Sequence, residues 1–220
     1  MKNGLYLFML ASFFSYSSET VVELPKFTEE ELPHWEMKIF SGETFYQALP
    51  SENILKAQSN CTASGLMFKQ KIDLQKTPYL NWSWKISNKL PPLSQRTKKG
   101  DDYAARIYLI IHKGFFPWSN KALNYVWSGS NNMGEHWNNP YAGEKVKMLA
   151  VRDADSEVNV WYAEKRNVYQ DLITLFGDEG SEQANLKSYQ YIDVVALMTD
   201  TDDSSSSVES YYGPISFSSE

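Results

Sequence analysis

The chain has 220 residues, 42% hydrophobic and 15% aromatic, and its 21 Lys and Arg against 27 Asp and Glu give a net charge of −6. That length suits one well-buried domain, while the acidic balance argues against binding nucleic acid or an anionic membrane, since both depend on excess Lys and Arg. A single cysteine, Cys61, excludes an internal disulfide, so the core itself has to hold the fold.

Met1-Lys2-Asn3-Gly4 is followed by an apolar run from Leu5 to Phe14. One positive charge ahead of an apolar stretch too short to span a bilayer reads as a secretory signal over 1–18, with Ser15 and Ser17 as the small residues near the cut. The expectation is an exported protein, periplasmic or secreted, with no stable membrane insertion. Residues 19–34 read as an acidic lead-in in which Thr28 can cap a helical turn, and 35–220 as a single domain. Strand patterns follow at 35–40, 44–49, 54–58, 64–72 and 79–86, separated by turn residues such as Ser41-Gly42 and Thr77-Pro78. In the last of these, Leu80, Trp82, Trp84 and Ile86 alternate with Asn81, Ser83 and Lys85, which places the first set on the core face. Cys61, with no His near it, reads as a buried small hydrophobe rather than a nucleophile. Asn60-Cys61-Thr62 and Asn81-Trp82-Ser83 match the glycosylation sequon, the second lying inside a strand pattern.

A loop from Asn88 to Asp102, long enough to rim a site, leads into the strongest strand signal. There Tyr103, Ala105, Ile107, Leu109 and Ile111 share one face, and Ala104, Arg106, Tyr108 and Ile110 the other. A charge among apolar residues needs a partner or ligand to offset its desolvation. An aromatic loop at 115–119 precedes a strand at 123–127, a second long loop at 128–141, and strands at 145–151 and 158–163. One helix is expected from the Asn167 cap through 168–176 to a stop at Gly177. An acidic loop, a buried-type strand at 191–198, the acidic run Thr199–Asp203 and a closing strand at 208–217 complete the chain. Many short strands at this spacing predict an all-β, jelly-roll-like antiparallel β-sandwich with one short helix.

Several ordered stretches, Tyr79–Lys85, Gly100–Tyr108, Leu123–Ser128, Arg166-Asn167 with Asp171, Met198–Asp202 and Tyr211-Tyr212-Gly213, resemble the DUF3047 family, exported bacterial proteins known as a domain of unknown function. The resemblance runs from about Trp35 onward. It implies export and a β-rich fold and brings no activity, and kinship with carbohydrate-binding jelly rolls is analogy at the level of fold.

The expected ligand face gathers Lys85, Arg106 and Tyr108, with Tyr125, Trp127 and Tyr212 nearby. Sugar recognition uses this mixture, flat aromatics for pyranose faces and fixed polar groups that orient hydroxyls or pair with uronates. The competing reading is a structural ion pair of Arg106 with Asp171 or Glu164 under the helix. Asp200, Asp202 and Asp203 could hold calcium, with Asp101-Asp102 as further partners, although the EF-hand pattern fails because no Gly follows and Tyr211 stands where the bidentate Glu belongs. A solvated acidic turn is the alternative, and no other cofactor is expected. No serine-hydrolase elbow, Walker loop, dinucleotide fingerprint or His-Glu-x-x-His helix occurs, and His34, His112 and His136 are isolated. The first reading is therefore an exported sandwich binding a glycan or other envelope polymer through the Arg106 face. Polysaccharide cleavage is an alternative, by hydrolysis with carboxylates from among Glu164, Asp171, Asp200 and Asp202, or by a lyase with Tyr108 as acid. A structural envelope protein is the third.

Overall fold

The computed structural model describes residues 19–49, 51–112 and 119–220, so the signal-like segment and most of the aromatic loop at 115–119 lie outside the described residues. The strands are, in chain order, β1 (Val21–Glu23), β2 (Glu36–Ser41), β3 (Phe45–Leu49), β4 (Ile54–Asn60), β5 (Ala63–Asp73), β6 (Tyr79–Ile86) and β7 (Arg106–Ile111). Next come β8 (Lys121–Trp127), β9 (His136–Asn139), β10 (Gly143–Arg152) and β11 (Tyr162–Asn167). Two helices, α1 (Val168–Phe176) and α2 (Glu182–Tyr189), precede β12 (Tyr191–Asp200), β13 (Ser207–Tyr212) and β14 (Ser216–Ser218).

The strands form two sheets packed as a mostly antiparallel β-sandwich. In the first sheet β6 is central: β11 runs along one of its edges, while β13 and β14 share the other, leading on to β4 and β3 and to β1. The second sheet has the order β2-β5-β12-β7-β8-β10-β9, and within it the β8–β10 pair is parallel. The alternation expected of β6 holds, with Leu80, Trp82, Trp84 and Ile86 buried between the sheets. Ile107, Leu109 and Ile111 of β7 meet them from the other side. Trp82 stacks on Tyr125 with ring centroids 5.3 Å apart, and Trp84 packs against Trp127 at 5.9 Å. Aromatic pairs of this kind add about 0.5–1.5 kcal/mol each beyond the area they bury. A smaller apolar cluster of Tyr103, Val126, Trp137, Met148 and Ala150 lies apart from this core. Val126 and Met148 stand in register with Arg106 and Asn124, which puts this cluster on the outward face of the second sheet.

Several local expectations change. The lead-in belongs to the sandwich, since β1 pairs with β14 and Phe27 is buried in the core. Thr28 does cap the turn that follows, its Oγ1 accepting the Glu31 amide at 3.2 Å. The strand expected at 158–163 is displaced to β11, and the closing strand is split into β13 and β14 at Gly213-Pro214, because proline has no amide to donate to a ladder. The one expected helix has the predicted Asn167 cap, Oδ1 accepting the Gln170 amide at 3.0 Å. A second helix, α2, stands where a loop was expected. Its apolar pattern is weak, and it is fixed by the Ser181 cap and by the buried Tyr189, whose hydroxyl donates to the Gly177 carbonyl at 2.9 Å. Cys61 is exposed rather than buried, in the tight turn joining β4 to β5 with φ of 52°.

Candidate functional site

Arg106 is the first residue of β7 and, as its alternation requires, points to the outward face of the second sheet, in register with Met198 of β12. It is nonetheless only 3% exposed. Its guanidinium lies between the rings of Tyr103 and Tyr108, 5.1 and 5.0 Å from their centroids. Nη2 donates to Asp200 Oδ2 at 2.5 Å, and Nη1 lies 3.9 Å from Asp101 Oδ2. The ion-pair partners are thus Asp200 and Asp101. Asp171 and Glu164 are taken by other cations, Arg166 and Arg152, each at 2.5 Å. Among the described residues, Arg106 Nε and Nη1 have no hydrogen-bond partner.

These groups line a cleft of about 410 Å³ bounded by Phe40, Asp101, Arg106, Tyr108, Asn139, Tyr141, Met198, Asp200, Asp202 and Asp203, among others. Phe40 reaches it because the β2–β5 register shifts between Ile39 and Ser41, leaving Phe40 as the extra residue of a bulge. The opposite rim comes from the two long loops. Gln95 is buried and stitches them together, its Nε2 donating to the Asp102 carbonyl at 3.0 Å and its Oε1 accepting from Ser128 Oγ at 2.6 Å. From these loops Asn139 Nδ2 donates to Asp101 Oδ2 at 2.9 Å, and the Tyr141 hydroxyl donates to Asp203 Oδ1 at 2.8 Å.

The electrostatics follow from burial. The Asp200 carboxyl is pushed well above its ordinary range, first by burial and then by Asp102, Asp101 and Asp202, with Arg106 opposing. Burial likewise raises Asp101 and Asp203. Burial alone would lower Arg106, but Asp200, Tyr108 and Asp101 more than offset it, and the guanidinium stays charged. Hydrogen bonding to Asp203 leads the causes that push the Tyr141 phenol up to about 12.

The expected ligand face is only partly assembled. Arg106 and Tyr108 share the cleft, but Tyr125, Trp127 and Tyr212 belong to the interior between the sheets, because β8 and β13 turn them inward. Tyr212 touches the site from behind, its hydroxyl donating to the Met198 carbonyl at 2.7 Å and accepting the Arg106 amide at 3.3 Å. Lys85 lies on the outward face of the other sheet, its Nζ 4.3 Å from the Tyr211 ring centroid and 5.3 Å from that of Trp161. For the acidic run, Asp102, Asp200 and Asp202 each bring one carboxylate oxygen within 4.8 Å of the others. Asp102 therefore takes the place expected of Asp203, which turns to Tyr141. Asp102 is already engaged, accepting the amides of Asp203 and Ser204 at 3.2 and 2.7 Å. Asn139 and Tyr141 carry no signal in the sequence, because a loop has no periodicity, and the sequence points to Asp101 only as a calcium partner.

The match to the family model described as "Protein of unknown function (DUF3047)" covers residues 33–216. The chain belongs to the DUF3047 family. Among curated proteins none matches it. Solved structures similar to this DUF3047 chain include the endoglucanase Cel12A from Rhodothermus marinus, at TM-score 0.46 and 8% identity, covering 90% of this chain and 99% of that one. The family 29 carbohydrate-binding module CBM29_1 from Piromyces equi gives TM-score 0.40 and 9% identity, covering 93% of each chain. A mutant of CBM29-2 complexed with cellulohexaose gives 0.42 and 4%, covering 91% of this chain and 92% of that one. No helix among the described residues is long and apolar enough to cross a membrane.

Proposed function

We propose that this protein binds a glycan, or a similar polyhydroxylated envelope polymer, in the cleft over Arg106. The observation that carries the reading is a buried guanidinium facing that cleft with Nε and Nη1 unmatched. An unmatched buried donor costs on the order of 1–3 kcal/mol, a cost that a ligand oxygen removes on binding. Phe40 and Tyr141 stand exposed at the rims and offer flat apolar surface to a sugar ring. Asn139, Asp202 and Asp203 supply the fixed polar groups that orient hydroxyls. Export by the segment 1–18, to the periplasm or outside the cell, belongs to the same proposal, because envelope polymers are met there. N-terminal sequencing of the fractionated protein tests that part: an intact Met1 in the cytosolic fraction would refute it.

Glycan arrays and affinity electrophoresis test the binding. Wild type is expected to retain at least one polysaccharide, and Phe40→Ala and Tyr141→Ala, at exposed rim positions, to weaken retention about tenfold each, the equivalent of about 1.4 kcal/mol. Failure of the folded wild-type protein to retain any polysaccharide sinks the proposal. A second reading, polysaccharide cleavage in the same cleft, is favoured by the raised Asp200 carboxyl, a candidate proton donor beside the Asp202 carboxylate, which accepts no hydrogen bond from the described residues. Release of reducing ends from the polysaccharide panel, lost in Asp202→Asn, would put this second reading first.

A further inference from the structure

We infer, resting on the glycan reading above, that the sugar taken by this cleft carries a free amine: an amino sugar of the glucosamine type, with its ammonium among Asp101, Asp202 and Asp203 and a neighbouring hydroxyl oxygen on Arg106. The first ground is charge. Four carboxylates, Asp101, Asp200, Asp202 and Asp203, line the cleft against one guanidinium, and a fifth, Asp102, stands directly behind Asp200 and Asp202. Arg106 serves two of the four, Asp200 at 2.5 Å and Asp101 at 3.9 Å. Among the described residues, the Asp203 carboxylate accepts a hydrogen bond only from the neutral Tyr141 hydroxyl, and the Asp202 carboxylate accepts none. Lys98 lies 5.1 Å from the Tyr141 ring centroid but does not line the cleft.

The second ground is the pair of unmatched donors on Arg106, which call for an acceptor oxygen from outside the protein. A ligand that satisfies both carries a cationic donor and an oxygen acceptor. A uronate would add a further negative charge to a cleft already in acid excess. A neutral sugar would leave that excess uncompensated. An ammonium brings three donors and the missing charge, and charge-assisted bonds of this kind are about twice as strong as neutral ones. Acetylation of the nitrogen removes the charge and adds bulk.

The probes are a glucosamine oligomer, its N-acetylated counterpart and a cello-oligomer of the same length, titrated calorimetrically near neutral pH into wild type and Asp202→Asn. The expected result is that the glucosamine oligomer binds wild type at least about tenfold more tightly than either neutral oligomer, a difference that one charge-assisted contact supplies. The preference should shrink in Asp202→Asn and with added salt, because the glucosamine oligomer loses more affinity than either neutral oligomer. Proton release on binding should accompany the amine alone, as it draws the raised carboxyls of Asp101, Asp200 and Asp203 into their charged form, with Asp102, Asp202, Arg106, Tyr103, Tyr108, Tyr141 and Lys98 as the other charged or titratable groups around them. Equal or tighter binding of the neutral oligomers overturns this inference and leaves the glycan reading standing. Binding of no oligomer and no polysaccharide overturns both. A preference unchanged by salt and by Asp202→Asn, or abolished by a chelator, also overturns it, the last because a metal would then hold the acids.

Discussion

The Tyr212 hydroxyl sits between the two strands that bring charge to the cleft, donating to Met198 on β12 and accepting from the Arg106 amide on β7. Tyr212→Phe removes both hydrogen bonds, and the one shared with Thr199 Oγ1 at 2.8 Å, from a buried site, so a loss of about 1–3 kcal/mol in urea unfolding is expected. Arg106 itself makes a sharper test. Arg106→Met strands the Asp200 charge in a buried site, and loss of one member of such a pair costs about 3–5 kcal/mol. Adding Asp200→Leu should recover much of that loss, because the double replacement leaves no charge unpaired. A double variant as unstable as the single one would show that Asp200 is not the partner that matters. Alternation along β7 was enough to put Arg106 on the face opposite Ile107 and Leu109. It could not name the partner, because Asp200 is 94 residues away and reaches Arg106 only through the β7–β12 pairing.

At the scale of elements, the cleft wall is set by how the loops at 88–102 and 128–141 are tied together. Gly100 lies so close to Ser94 that a Cβ there would stand 2.6 Å from the Ser94 carbonyl carbon. Gly100→Ala is therefore expected to force the loop outward, costing about 1–3 kcal/mol in thermal or urea unfolding, and to weaken any cleft ligand by displacing the adjacent Asp101. Unchanged stability would mean that the loop yields freely. The length and polarity of both loops were legible as a rim in the sequence. Their joining through Gln95 was not, since a buried glutamine carries no local signature. The sequence also hid α2, whose apolar residues make no continuous stripe, and it disguised β9 among the asparagines of the second loop.

Across the whole molecule, stability should respond to pH through two opposed sets of carboxyls. Asp101, Asp200 and Asp203 are raised in the folded state, so their contribution is fully present below the ordinary 3.8 and is lost as pH rises through their folded values. Glu209 runs the other way: hydrogen bonding from Lys56 and Tyr211 lowers it from 4.5 to about 2, so its contribution holds above 4.5 and is lost as pH falls toward 2. The Tm should therefore climb as pH drops from neutral toward the ordinary carboxylate range and fall below it, and Asp202→Asn should flatten the climb by removing one of the repelling charges. A Tm that falls steadily from neutral downward in wild type would contradict the acid excess in the cleft. By itself the sequence determined the sandwich, the inward set of β6 and β7, the α1 cap and family membership, because each is written in alternation, capping chemistry or motif order within a few residues of chain. Only the tertiary structure decided that Tyr125, Trp127 and Tyr212 are core, that Lys85 faces away, and that Arg106 meets Asp200 and Asp101. Those outcomes depend on which strands become neighbours, and strand pairing across a hundred residues is fixed by the packing of the two sheets.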